Sequence, residues 1–160
     1  MIKSIRHTGI VVRDLERASN FYRALGFIDS AQDFEEGDFI DQVTGLEKTK
    51  LEWIKLKSPD GCLLELLHYH SHFEDKEITI QKSNKLGCSH VAFTVDDIES
   101  ACDKIIEEGG TVTNLPATSP NGMAKVAYCH DPEGILMEIV EELEFLLLED
   151  LAQEYWLIES

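Results

Sequence analysis

Four residues of types that bind metals stand at matching points of a phrase stated twice: His7 and His90, Glu65 and Glu138. Residues 58–67 read SPDGCLLELL and residues 131–140 read DPEGILMEIV, each a Pro-acid-Gly turn followed by an apolar run with one glutamate inside it. Proline presets φ for such a turn and glycine accepts positive φ. The apolar run after it reads as a buried strand. An unpaired carboxylate buried there is costly or is forced neutral, so two glutamates at the same place in a repeated phrase require something cationic. Two imidazoles and two carboxylates suit a divalent first-row ion in a five- or six-coordinate nitrogen–oxygen site, with no thiolate to demand zinc. A lone strand histidine is ordinarily a satisfied core residue. Four residues set at equivalent points by an internal repeat are not explained that way.

The elements that must position them repeat as well. RHTGIVVRDLERA near the N-terminus matches SHVAFTVDDIESA near the middle, aligning His7 with His90, Asp14 with Asp97 and Gly26 with Gly109 at an offset of 83. Glu65 and Glu138 are offset by 73, so the first copy carries 10 extra residues between its landmarks. In each copy a strand leads to an aspartate N-cap and an amphipathic helix, closed by a glycine. Strands at 51–57 and 124–130 precede the two Pro-acid-Gly turns and the glutamate strands. The polar, acidic stretch 29–50 reads as a long, partly mobile loop able to cover a cavity.

The expected fold is therefore α+β: two tandem βαβββ modules forming a curled mixed sheet around a metal cavity, plus a C-terminal helix. One domain spans 1–160, with module one at about 3–70, a linker at 71–86, module two at about 87–141 and the helix at 142–160. Leu143, Leu147, Leu151, Tyr155 and Ile158 give that helix an apolar stripe, to be packed on its own domain or against a second copy.

Other candidates weigh less. His68, His70 and His72 share the strand face opposite Glu65 and read as solvated or helix-packing residues, whereas Tyr69 lies on the Glu65 face and is the substrate-pocket candidate. His130 has no counterpart in the pattern. Glu35, Glu36, Asp38 and Asp41 read as a solvated loop.

With 160 residues and a net charge of −17, the chain fits one soluble domain and is a poor match for nucleic acid or an anionic membrane surface. No run approaches a spanning helix. The cysteines at 62, 88, 102 and 129 form no C-x-x-C spacing and read as small core residues in a reducing cytoplasm.

The pattern H-x-G-I-x-V-x-D-L-x-x-A-x-x-F-Y-x-x-L-G-F from His7 to Phe27, with the two P-[DE]-G-x-x-x-E strands, resembles the vicinal oxygen chelate superfamily. That group includes glyoxalase I, methylmalonyl-CoA epimerase, extradiol dioxygenases and bleomycin-binding proteins. The resemblance covers about residues 3–141. It implies a homodimer, one divalent ion per chain (Ni, Co, Zn, Mn or Fe), and His7, Glu65, His90 and Glu138 as ligands. It implies a small α-oxygenated carbonyl or thioester substrate, with proton transfer through an enediolate stabilised by the ion and Glu138 or Glu65 as base. The arginines that human-type glyoxalase I uses for glutathione are absent: Val11 and Leu86 stand at those places. An extradiol dioxygenase and a metal-free small-molecule binding protein are the alternative readings.

Overall fold

The protein is described from a computed structural model covering residues 1–73 and 79–143. Each module starts with a short strand, followed three residues on by an aspartate that caps a helix. Asp14 accepts a hydrogen bond from Arg17 N at 2.9 Å and Asp97 one from Ser100 N at 2.6 Å, satisfying amides that an uncapped helix would leave unpaired. Strand β1 (Thr8–Val11) thus leads to α1 (Leu15–Ala24), and β5 (Val91–Thr94) to α3 (Ile98–Glu107). Module one continues with β2 (Ile28–Glu36), α2 (Asp38–Thr44), β3 (Lys50–Lys57) and β4 (Leu63–Tyr69). Module two continues with β6 (Thr111–Val112), β7 (Ala117–Thr118), β8 (Ala124–His130) and β9 (Leu136–Glu142).

The sheets share one strand order. It is β1-β4-β3-β2 in the first and β5-β9-β8-β6 in the second, where β7 also pairs with β8. In each, the strand that follows the histidine runs parallel to the glutamate strand, setting Gly9 beside Glu65 and Ala92 beside Glu138. The α+β class is as the sequence indicates, and the βαβββ order recurs in both halves with α2 added in the first and the two-residue β7 in the second. The C-terminal helix expected at 142–160 falls almost wholly on 144–160, outside the described residues. Among the described residues no helix is long and apolar enough to cross a membrane.

Alternation decides which face each side chain takes. Leu56, Leu64 and Leu66 pack under Leu15, Ala18, Phe21 and Tyr22 of α1, and Ala127, Cys129, Met137 and Ile139 join Ile98, Cys102 and Ile105 of α3 in the same apolar cluster. Glu65 and Glu138 sit between such residues in sequence and therefore point to the opposite, open face.

A buried hydrogen bond ties the modules together. Tyr22 Oη of α1 donates to Asp131 Oδ2 at 2.9 Å, while Asp131 Oδ1 accepts from Glu133 N and Ile135 N, both at 2.9 Å. Burial pushes the Asp131 carboxyl above the usual carboxylate range, against those hydrogen bonds, and raises the Tyr22 phenol well above its own. A raised folded pKa means that the Asp131 contribution to stability is full below about pH 4 and is lost as pH rises through the folded value. Tyr22→Phe removes a donor to the ionised form, so it should cost about 1–3 kcal/mol at neutral pH. Denaturant titration should show a smaller loss in acid. An equal loss at both pH values would mean that Asp131 does not change charge across that range.

The stretch 29–50 corrects the loop expectation. Residues Ile28–Glu36 form β2, paired with β3 from Ile28↔Lys57 to Glu36↔Lys50. No residue of this edge strand is buried, so it carries no apolar alternation by which sequence could reveal it. The helix α2 follows, ended by Gly45 in the left-handed conformation at φ 71 and anchored by buried Ile40. Asp41 is structural rather than merely solvated: its carboxylate accepts from Lys48 N and Thr49 N, both at 2.7 Å, and these bonds hold its pKa below the usual range. A strand and a short helix therefore occupy most of the stretch that reads as a loop.

Two of the four cysteines also depart from expectation. Cys102 and Cys129 are buried, the latter thiol pushed up to about 12 by burial, but Cys62 and Cys88 are exposed on the first turn and before β5.

After α3 the chain turns sharply at Gly109–Gly110. A Cβ on Gly110 would lie 2.5 Å from His130 O and 2.8 Å from Ile105 Cγ2. The backbone oxygen cannot yield cheaply, so Gly110→Ala should cost about 1–3 kcal/mol or more by overpacking. A melting temperature unchanged in that variant would show that the turn relaxes freely.

Candidate metal centre

His7 stands immediately before β1 and Glu65 in the middle of β4. Because these strands are parallel neighbours, His7 Nε2 lies 2.9 Å from Glu65 Oε2. Module two repeats this with His90 Nε2 at 3.1 Å from Glu138 Oε2. None of the four side chains is fully enclosed: the exposures are 29% and 12% in the first pair, 29% and 25% in the second. Nitrogen and oxygen ligands bound side by side at about 2.0–2.2 Å from one ion are separated by about 3 Å. Both pairs have that spacing, and the donor chemistry is that of a first-row divalent ion.

Their surroundings differ. His90 Nδ1 is 3.3 Å from Ser89 Oγ, the kind of partner that fixes a ligand imidazole. His7 Nδ1 is buried and has no hydrogen-bond partner, the sole buried side-chain atom of that kind among the described residues. Beside Glu65, Lys55 Nζ lies 2.9 Å from the other carboxylate oxygen, Oε1, and 4.1 Å from the centroid of Trp53. Trp53 Nε1 in turn donates to Glu35 Oε1 at 3.0 Å. The cross-strand neighbour of Glu138 is Tyr128, whose ring meets His90 edge-on at a centroid distance of 5.4 Å.

The four sequence-derived candidates are thus brought together as two pairs. Among the described residues no group of three or more His, Cys, Asp or Glu side chains converges as a metal site. Tyr69 is half-buried on the Glu65 face, opposite Leu51. His68 lies on the other face with Nδ1 3.2 Å from Val12 O, and His70 pairs with Glu52 at 2.8 Å. His130, unassigned from sequence, is a buried structural residue, with Nε2 2.8 Å from Gln81 O and Nδ1 3.4 Å from Thr111 Oγ1. Lys55 was not visible as a site residue. Its signal lies in the hairpin register, since pairing Lys57 with Leu63 across the turn sets Lys55 opposite Glu65.

Two mixed sheets of one strand order, each with an imidazole–carboxylate pair on its parallel strands, define a glyoxalase-type fold. The family model for the Glyoxalase/Bleomycin resistance protein/Dioxygenase superfamily matches residues 4–139, and the chain belongs to that superfamily. Among curated relatives, a probable lactoylglutathione lyase of Synechocystis is 29% identical over 137 residues, covering 84% of this chain and 92% of that protein. The lactoylglutathione lyase of Pseudomonas aeruginosa is 31% identical over 150 residues, covering 84% and 80%. The crystal structure of a glyoxalase family protein from Bacillus cereus aligns with a TM-score of 0.83 at 26% identity, covering 90% of this chain and 97% of that one.

Proposed function

We propose that the chain is a metal-dependent lyase or isomerase of the glyoxalase I type, with each metal centre assembled between two copies. The observation that supports this best is the arrangement of the candidate ligands. They form two His–Glu pairs on open sheet faces, and these do not converge within one chain among the described residues. A two-fold dimer, the commonest oligomer, can place the His7–Glu65 pair of one copy against the His90–Glu138 pair of another. One divalent ion per chain then has four nitrogen and oxygen ligands.

When bound, that ion supplies Lewis-acid stabilisation of the negative charge that develops on the substrate oxygen. The chain's own residues move the proton. A glutamate of the centre takes it from the hydroxyl-bearing carbon next to the carbonyl, and the electron pair passes to the carbonyl oxygen. The proton is then returned to the former carbonyl carbon, as the hydroxyl proton passes to the former carbonyl oxygen and leaves a new carbonyl behind. Tyr69, on the Glu65 face, lines the substrate side.

The relatives named lactoylglutathione lyase favour a hemithioacetal of a 2-oxoaldehyde as substrate. Val11 and Leu86, both strongly exposed, leave recognition of the thiol part to residues other than arginine at those places. Assay with methylglyoxal and glutathione after loading with Ni²⁺, Co²⁺ or Zn²⁺ tests the reading. Turnover with at least one ion is expected; none with any of them would overturn it.

A further inference from the structure

The two modules match at the His–Glu pairs and differ at the residue opposite each glutamate. Lys55 faces Glu65 across β3 and β4, whereas Tyr128 faces Glu138 across β8 and β9. Both oxygens of Glu65 are therefore engaged, Oε2 by His7 and Oε1 by Lys55, each at 2.9 Å. The ammonium is itself held, with Trp53 against it at 4.1 Å and Glu35 fixing the Trp53 indole at 3.0 Å. Among the described residues Glu138 has its ion-pair contact on Oε2 alone, from His90, and its side chain is 25% exposed against 12% for Glu65.

A carboxylate that serves as both ligand and base must turn between the ion and the substrate carbon. One bridged through its second oxygen by a charge-assisted hydrogen bond must break that bond to turn. Resting on the proton-transfer reading above, we propose that Lys55 is a positioning residue that fixes Glu65 as a static ligand and leaves Glu138 to move the proton. The repeat makes the glutamates equivalent in position, and the Lys55–Tyr128 difference makes them unequal in freedom.

The bridge is tested first in the metal-free full chain, by thermal unfolding of Lys55→Met alone and combined with Glu65→Gln or Glu138→Gln. Lys55→Met should lower Tm by roughly 2–4 °C. That loss should vanish in the Glu65→Gln background and persist in the Glu138→Gln background. An equal loss in both backgrounds would overturn the bridge, and Lys55→Gln supplies a second neutral variant should Lys55→Met fold poorly.

The consequence is tested in Co²⁺-loaded protein by exchange of the substrate α-proton in deuterated water, with the methylglyoxal–glutathione hemithioacetal as probe. Glu138→Gln should lose at least about a hundredfold. Adding Lys55→Met to it should recover roughly tenfold, because a released Glu65 can turn to the substrate, whereas adding Lys55→Arg should not. No recovery, or equal recovery with arginine, would overturn the assignment. If the unaltered chain shows no exchange with any loaded ion, the proposed function fails and with it the base assignment, while the metal-free cycle still decides whether Lys55 holds Glu65.

Discussion

Replacing Glu138 by glutamine is expected to lower turnover by about 10²- to 10⁴-fold while metal content and KM change far less. Glutamine keeps a carbonyl oxygen where the carboxylate stood, so a ligand oxygen remains beside His90. What is lost is the site that accepts the proton. The same substitution at Glu65 should act differently: it replaces the charged contact with Lys55 at 2.9 Å by a weaker neutral one and leaves the ammonium unneutralised beside the first pair, so metal content falls before the chemistry does. Steady-state kinetics with metal analysis on each variant separates the two. If Glu65→Gln instead lost turnover at full metal occupancy and Glu138→Gln lost metal, the roles would be reversed.

Replacing His90 by alanine should weaken divalent-ion binding by more than the roughly 10- to 100-fold that disturbing a mere partner of a metal ligand costs. The substitution removes one of the four donors outright. It also leaves Glu138 without its neighbour at 3.1 Å. Ser89 Oγ, 3.3 Å from His90 Nδ1, keeps its hydrogen bond to Ser83 O at 2.7 Å, and Ser89→Ala should show the smaller effect of losing the hydroxyl that orients the ring. Competitive titration of the metal-free protein measures both. Retention of full affinity in His90→Ala would remove module two from the centre.

Much of this arrangement is legible in the residues because the repeat carries structural information. The helices begin at Leu15 and Ile98 and the first strands at Thr8 and Val91, both pairs separated by the 83 residues that separate His7 from His90. β4 and β9 begin at Leu63 and Leu136, 73 apart, like Glu65 and Glu138. Of the extra residues in module one, seven form α2. The unreadable parts have physical reasons. β2 is exposed along its length and held by its ladder to β3, which leaves no apolar period. Asp131 reads as an ordinary turn residue, and only the packing of α1 against module two reveals that Tyr22 closes over it. Lys55 looks like the polar half of an alternating strand until the hairpin register sets it against Glu65. In the assembly proposed above, how the two His–Glu pairs meet is a property of two chains, which a single sequence does not contain.

Assembly between copies is measured most directly by mixing two inactive variants. His7→Ala disables the first pair of its chain and His90→Ala the second pair of its own. In a mixed dimer one centre carries both defects, and the other combines an intact first pair from one copy with an intact second pair from its partner. Random re-association makes half the dimers mixed, with one of two centres whole, so activity and tight metal binding should return to about a quarter of the unaltered level. No recovery on mixing, with mixed dimers demonstrated by differently tagged chains, would contradict a centre shared between two copies.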